Sequence, residues 1–303
     1  MTAANLELGK NGRNRLARLK EGIVPYLFVS PFIVSFLIFM VFPSLYTIIL
    51  SLCEYQGYGG ARFVGLLNYQ RLLNYQDFWA TIANTLIYLV ASSIPVMTAS
   101  FLLAVAIYSK LTKWRKFYKI AIFLPQVMAI VAASLVWRVV FSTETGVINN
   151  IIGMKIPWLT DPALIKLSVV VLLIWRATGW FFVVFLAGLA SVPAEIYEAA
   201  EIDGANARER LWNVTLPLMR PIILFSFVIN TISGLKIYTE PNILLNAGQG
   251  QISIHGRTIL NLLTENIQSG YFGLAAAVGW ILFVIISVLS LLQFKLFQWG
   301  EKE

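Results

Sequence analysis

The chain has 303 residues, of which 58% are hydrophobic and only 13% are charged. Soluble domains carry about a quarter charged residues, so a soluble chain of this length would lack the polar surface needed to cover its core. The net charge of +8 is spread along the chain, which argues against nucleic acid as a partner because backbone binding needs a dense basic face. The single Cys53 and the single His255 exclude an internal disulfide and, by themselves, a metal site.

Six apolar runs with few or no charges follow one another along the chain, and crossing about 30 Å of hydrocarbon takes about 20 such residues. The fourth run contains one charge, Arg176, and the fifth, Pro221 to Leu235, is short. The runs predict an all-α membrane protein with six transmembrane helices, which we place at about residues 23–52, 78–109, 117–141, 166–190, 220–238 and 271–296. Residues 1–22 form a polar lead that is not a cleaved signal peptide. Residues 23–296 form one transmembrane domain, and residues 297–303 form a short tail.

Basic residues are divided unevenly between the two sets of connecting segments. Fifteen lie in the lead, in the loops after helices 2 and 4 and after helix 6, whereas five lie in the remaining loops. Cytoplasmic segments are enriched in Lys and Arg. The charges therefore predict that both termini lie in the cytoplasm.

The loop between helices 4 and 5, residues 191–219, is long for a cytoplasmic turn and rich in helix-forming residues. Pro193 can begin a helix, and Asp203-Gly204 is a natural break. A second short helix is predicted from Ala205 to Val214, ending before Pro217. The segment is thus a predicted helix-turn-helix at the membrane face, although its composition alone would also suit a solvated connector.

This loop carries a specific pattern. Glu198-Ala199-Ala200 is followed after three residues by Gly204, and after nine more by Val214, with Leu216-Pro217 completing it. The pattern resembles the EAA signature of the permeases of binding-protein-dependent ABC importers, with Val214 in place of the usual Ile. From about residue 25 to 295 the chain is similar to the sugar-type branch, which includes the maltose and glycerol-phosphate permeases. It departs from that branch at residues 244–250, where a Thr-x-Gly-Gly-Pro segment is common.

The resemblance implies a six-helix permease in the cytoplasmic membrane of a bacterium or archaeon, embedded in lipid, that forms part of a pathway for a carbohydrate. It implies four kinds of partner: a second permease subunit of different sequence, two cytoplasmic ATP-binding subunits, an extracytoplasmic solute-binding protein and the carbohydrate itself. It assigns coupling to the ATPase to seven residues: Glu198, Ala199, Ala200, Asp203, Gly204, Leu216 and Pro217.

The chain has no phosphate-binding loop of the form G-x-x-x-x-G-K-[ST] and no catalytic set of Ser, His and Asp. We therefore expect a transport subunit without a cofactor, rather than an enzyme, with ATP hydrolysis on a partner chain. An ion-driven secondary transporter is the alternative from another class. It is disfavoured because no Asp or Glu lies deep inside the six predicted helices.

Five polar or aromatic residues are candidates for a substrate path between helices 3, 4 and 5. Arg176 lies near the middle of helix 4, where a charge costs roughly 2.5–3.5 kcal/mol unless it faces a polar cavity. Trp180 shares its helical face, Asn230 and Ser233 share a face of helix 5, and Gln126 lies in helix 3. Alternatively, these residues hold helices together. An anionic polyol phosphate or sugar acid would make Arg176 a direct ligand, whereas a neutral sugar would not require this.

Overall fold

The computed structural model describes residues 26–109, 113–246 and 252–299. The predicted lead and most of the predicted tail lie outside this part of the chain. Its elements, in chain order, are α1 (Tyr26–Ser51), β1 (Cys53–Glu54), β2 (Arg62–Phe63), α2 (Leu67–Leu73), α3 (Gln76–Tyr108), α4 (Arg115–Val127), α5 (Ile130–Val140), α6 (Val147–Ile152), α7 (Leu164–Ser191), α8 (Ala194–Ile202), α9 (Ala207–Leu235), α10 (Thr239–Leu245), α11 (Ile259–Gln268) and α12 (Phe272–Trp299).

Five of these helices are long and apolar enough to cross a membrane, and they are α1, α3, α7, α9 and α12. A sixth span results if α4 and α5 are counted together. The predominantly helical architecture agrees with the prediction. Among the described residues, β structure is confined to one antiparallel hairpin, in which Cys53 pairs with Phe63 and Glu54 with Arg62.

The third predicted helix, 117–141, is not continuous, and in this respect the prediction was wrong. The chain bends by 96° between α4 and α5, because Met128 and Ala129 adopt extended conformations with ψ of 140° and 128°. Pro125 in the last turn of α4 lacks a backbone donor and weakens the helix just before the bend. The α4 backbone packs closely on α7, where a Cβ at Gly179 would lie 2.6 Å from the Ile122 carbonyl oxygen.

The predicted gap before the fifth helix is also absent. The prediction ended a short helix before Pro217 and began helix 5 near residue 220, but α9 runs without interruption from Ala207 to Leu235. A π-helical turn at Leu211–Thr215 immediately precedes Pro217. The wider turn accommodates a residue that has no N–H and whose ring would clash with an α-helical carbonyl. In α1, the π turn at Leu37–Val41 precedes Pro43 in the same way.

The core is formed mainly where α3 packs along α7 and α9 packs on α3 and α12. Its largest fully buried side chains include Phe182 and Phe185 of α7 and Met219 of α9. By contrast, α1 packs on α12, and its most apolar stretch has no buried residue in the isolated chain. Such a surface can be covered by lipid or by another membrane subunit.

The segment that precedes α11 is joined to the N-terminal part of α3 by an ion pair and by hydrogen bonds. The Arg257 guanidinium contacts Asp77 and Glu265, each at 2.8 Å, and its side chain is only 6% exposed. Burial lowers the pKa of Arg257, but the neighbouring Glu265 and Asp77 outweigh this effect, so the pKa is raised. The Asn84 amide donates to the carbonyls of Ile254 (2.7 Å) and Arg257 (3.0 Å). These contacts hold the segment at residues 254–257 against α3.

Candidate functional site

A cavity of about 460 Å³ lies among α3, α7, α9, α10 and the bend between α4 and α5. Its lining includes all five residues predicted for a substrate path, which are Gln126, Arg176, Trp180, Asn230 and Ser233. The structure therefore brings these residues together, although they come from three separate predicted helices. Gln126 and Ile130 flank the bend on either side, so the break in the third span forms part of the cavity wall.

Arg176 has a partner that the sequence analysis did not identify. Its Nη1 lies 3.3 Å from the Glu240 carboxylate, and the two side chains are 23% and 6% exposed. Glu240 belongs to α10, a seven-residue helix in a stretch that was predicted as an outer loop. A buried arginine requires a compensating charge, and Glu240 is the first acidic residue after α9. The need to compensate the charge of Arg176 could therefore have indicated Glu240 as its partner.

The other predicted path residues differ in whether their side chains already form hydrogen bonds within the protein. The Asn230 amide donates to Ser93 Oγ at 2.5 Å, which ties α9 to α3 as the interhelical alternative predicted. Trp180 is 47% exposed in the isolated chain. Within the described residues, the side chains of Gln126 and Ser233 form no hydrogen bond, so they are available to a solute. The arrangement can offer a hydroxyl, an amide, a guanidinium and an aromatic surface to one ligand.

The second predicted site lies in the segment that joins α7 to α9. Pro193 is the N-cap residue of α8, and the turn falls at Asp203-Gly204, where it was predicted. Gly204 has φ +80°. Its N–H donates to the Glu201 carbonyl at 3.1 Å, and the Ala205 N–H donates to the Ala200 carbonyl at 2.9 Å. This is the Schellman arrangement, in which a left-handed glycine ends a helix.

The start of α9 is capped by side-chain hydrogen bonds. The Asn206 side chain accepts hydrogen bonds from the N–H groups of Arg208 and Glu209, each at 3.0 Å. The Glu209 carboxylate accepts from the Asn206 N–H at 2.8 Å, which completes a capping box. Arg210 bonds to the Glu201 carboxylate at 3.1 Å. These contacts fix the angle between α8 and α9.

The predicted coupling residues are mostly at the surface of this helix-turn-helix. Glu198, Ala199, Asp203, Gly204 and Pro217 are exposed, whereas Ala200 and Leu216 are half-buried. Two large apolar side chains join them at the surface, since Ile202 is 86% and Trp212 is 61% exposed. A bond of 3.3 Å between Tyr197 and Thr215 links α8 to the π turn of α9. The coupling set and the cavity are separated along α9, because Asn230 lies about 20 Å from Pro217 and about 35 Å from Ala207 at the start of the helix.

Residues 85–299 match the family described as binding-protein-dependent transport system inner membrane component. The arabinooligosaccharides transport system permease protein AraP of Halalkalibacterium halodurans is 36% identical over 283 residues, which cover 91% of this chain and 88% of that protein. The lactose transport system permease protein LacF of Rhizobium radiobacter is 35% identical over 281 residues, covering 89% of this chain and 92% of that protein.

A solved structure of a bacterial ABC transporter involved in the import of the acidic polysaccharide alginate contains a chain of the same fold. It superposes with a TM-score of 0.80 at 25% sequence identity, over 94% of this chain and 98% of that chain. The family match covers more than half of the chain, and the relatives span nearly all of it. The predicted resemblance to this family is thereby confirmed, and the chain belongs to the binding-protein-dependent transport system inner membrane components, which are permease subunits of ABC importers and not enzymes.

Proposed function

We propose that this permease imports a carbohydrate and that the cavity between α3, α7, α9 and α10 is its part of the translocation path. The observation that carries the proposal is the convergence of Gln126, Arg176, Trp180, Asn230 and Ser233 on one cavity of about 460 Å³. Hydroxyl-rich solutes need groups that donate and accept hydrogen bonds, together with an apolar or aromatic surface for the ring. The names of the relatives, which refer to arabinooligosaccharides and lactose, support the same substrate class.

An anionic substrate of the same importer class, such as a sugar acid or a phosphorylated polyol, is the second candidate. It is favoured by the presence of Arg176 in the cavity and by the structural similarity to an alginate importer. However, Arg176 already pairs with Glu240 at 3.3 Å. A neutral carbohydrate therefore suits the cavity better, because it requires no unpaired positive charge.

The partners proposed for this chain are a second permease subunit of different sequence, two cytoplasmic ATP-binding subunits and an extracytoplasmic solute-binding protein. A related solved structure contains an alginate pentasaccharide-bound periplasmic protein, which supports the last of these. The surface formed by α8 and the start of α9 would dock on the ATPase through Glu198, Ala199 and Gly204. The excess of basic residues in the segments on that side supports a cytoplasmic location for it and for both termini.

Transport would occur by alternating access, in which the cavity opens in turn to the two sides of the membrane. ATP can drive this cycle only if it binds better to one of the two states. The docked α8–α9 surface would carry that difference from the ATPase to the helices that line the cavity. The chain itself would perform no chemical step.

The test is reconstitution of the permease with its partner permease, its ATPase and its binding protein in proteoliposomes. ATP hydrolysis and solute uptake would be measured with lactose, arabinooligosaccharides and alginate oligosaccharides. We expect one neutral sugar to stimulate both, and uptake to persist when ionophores abolish ion gradients. Uptake that required an ion gradient but not ATP would contradict the proposal.

Two variants test the cavity itself. Trp180→Ala and Asn230→Ala are expected to lower the uptake rate or raise the half-saturation value at least severalfold, because each removes a group from the path. Trp114→Ala and Asn150→Ala change exposed residues outside the cavity and serve as matched controls. If both cavity variants transported like the parent at equal expression, the assignment of the path would fail.

A further inference from the structure

The charges of the cavity are few and unevenly placed. Among the described residues that line it, three are charged: Arg176, Lys236 and Glu240. Lys236 is exposed at the end of α9, where solvent and salt screen its charge. Arg176 and Glu240 lie largely out of solvent and face each other at 3.3 Å. The buried part of the cavity therefore contains one positive and one negative charge, which balance.

The Glu240 carboxylate is held in place by the structure around it. Helix α10, which carries it, packs against α5 and α7. The Arg138 guanidinium of α5 donates to the Asn246 carbonyl at the end of α10 at 2.8 Å. Glu240 and the adjacent Pro241 are both buried. Because α10 packs on α5 and α7, two of the helices that line the cavity, these contacts hold the carboxylate in the wall beside Arg176.

We propose that Glu240 is a charge-selecting residue, which neutralises Arg176 and thereby fits the cavity to uncharged saccharides while disfavouring acidic ones. The inference rests on the proposed carbohydrate path and names the substrate class of that path. A guanidinium has five N–H donors, so Arg176 can bond to Glu240 and still donate to a sugar hydroxyl. A uronate would have to displace Glu240 or lie beside it, and either arrangement brings two carboxylates close together.

The effect of one carboxylate on this cavity is large enough to measure. At about 10 Å and an effective dielectric constant of about 20, a unit charge alters the local concentration of a univalent ion by roughly tenfold. Loss of the Glu240 charge should therefore favour an anion in the cavity and disfavour a cation by similar factors. If Glu240 only held α10 in place, its replacement would change the local concentrations of the anion and of the cation in the same direction.

The experiment uses the complete complex of permease, partner permease and ATPase, with Cys53→Ser and a reporter cysteine from Ser233→Cys. The rate at which the reporter thiolate forms a mixed disulfide, releasing methanesulfinate, is measured with an anionic reagent, sulfonatoethyl methanethiosulfonate, and with a cationic reagent, trimethylammonioethyl methanethiosulfonate. The labelled chain is then resolved from its partners. The ratio of the anionic to the cationic rate reports the electrostatic potential at the cavity and cancels changes in access.

We expect the ratio to rise at least tenfold in Glu240→Gln and to fall at least tenfold in Arg176→Gln. The double variant and Glu240→Asp should lie near the parent. Glu265→Gln removes a carboxylate that is paired with an arginine outside the cavity, and this control should change the ratio less than twofold. Digalacturonate should protect the reporter in Glu240→Gln and not in the parent.

A change below twofold in an assembled Glu240→Gln complex would overturn the inference, as would an altered ratio without protection by digalacturonate. If Glu240→Gln does not assemble, Arg176→Gln and the double variant decide the question, because adding Glu240→Gln to Arg176→Gln must raise the ratio tenfold. The proposed function is tested separately by stimulation of ATP hydrolysis in the parent complex, supplied with its binding protein, by lactose and arabinooligosaccharides. Its failure would leave the reagent ratios as they are.

Discussion

Replacement of Gly204 by leucine is expected to uncouple the permease from its ATPase without removing it from the membrane. Gly204 has φ +80°, a conformation that costs a residue with a Cβ about 1–2 kcal/mol. A Cβ at this position would meet no atom within 4 Å, so the cost comes from the backbone and not from a clash. The native turn would lose roughly five- to thirtyfold in population relative to alternative conformations.

The alternative conformations would lack the two hydrogen bonds that end α8, which run from Gly204 to Glu201 and from Ala205 to Ala200. The angle between α8 and α9 would then no longer be fixed at the surface proposed to dock on the ATPase. We expect the amount of ATPase that co-purifies with the permease, and the ATP-dependent uptake rate, to fall by about fivefold or more. Membrane insertion should be unchanged, because the residue is exposed.

Two control variants separate backbone strain from other effects. Gly204→Asn should be milder, since Asn tolerates the left-handed conformation better than Leu. Gly153→Leu introduces the same strain at φ +75°, also without a neighbour within 4 Å, but in the turn after α6. It should leave ATPase association intact. Normal coupling in Gly204→Leu, or an equal loss in Gly153→Leu, would refute the reasoning.

The other expected outcomes concern topology, docking charge and stability. With Cys53→Ser as background, cysteines at Lys113 and Asn206 should resist a membrane-impermeant thiol reagent added to intact cells, whereas one at Lys155 should react; labelling of position 206 from outside would contradict the orientation proposed. Glu198→Lys should weaken ATPase association by reversing an exposed charge on α8, and Glu195→Lys, on the same helix, is the matched control that should be milder. Arg257→Gln should lower the free energy of unfolding by about 2–3 kcal/mol, because it leaves the Asp77 and Glu265 carboxylates without their shared cation. The control Arg71→Gln, which breaks a half-exposed pair with Glu54, should lower it by less than about 1 kcal/mol. Equal melting temperatures for the two variants would contradict this prediction.

The spans were predictable because lipid imposes a simple rule on the sequence. A helix that crosses hydrocarbon needs about 20 apolar residues. Helices α3 and α12 follow directly from long charge-free runs, and α7 follows from an apolar run that only Arg176 interrupts. The turn at Asp203-Gly204 was predictable for a different reason, since glycine is the residue that adopts φ of +80° without strain. In both cases the determinant is local in sequence.

The errors arose where local rules conflict with tertiary packing. Proline predicted a helix end before residue 217, but the π turn at Leu211–Thr215 accommodates it and the helix continues. Composition predicted one continuous third span, but the chain bends at Met128 and Ala129. Glu240 was placed in an outer loop because it follows an apolar run, yet α10 folds back and brings it to Arg176. Pairing of this kind depends on residues 64 positions apart and has no local signal.

The continuity of α9 bears on how the two sites could communicate. Had a flexible break separated the docking surface from helix 5, movement of α8 could have been absorbed before it reached the cavity. Instead, one helix of 29 residues begins at the Asn206 cap and carries Asn230 and Ser233 near its other end. Over about 35 Å, a tilt of only about 3° displaces one end by roughly 2 Å relative to the other. Since the Asn230 amide donates to Ser93 Oγ of α3, a tilt about any pivot other than Asn230 must also move α3 or break that hydrogen bond. For such a tilt, the wall of the cavity changes when the surface proposed to dock on the ATPase moves.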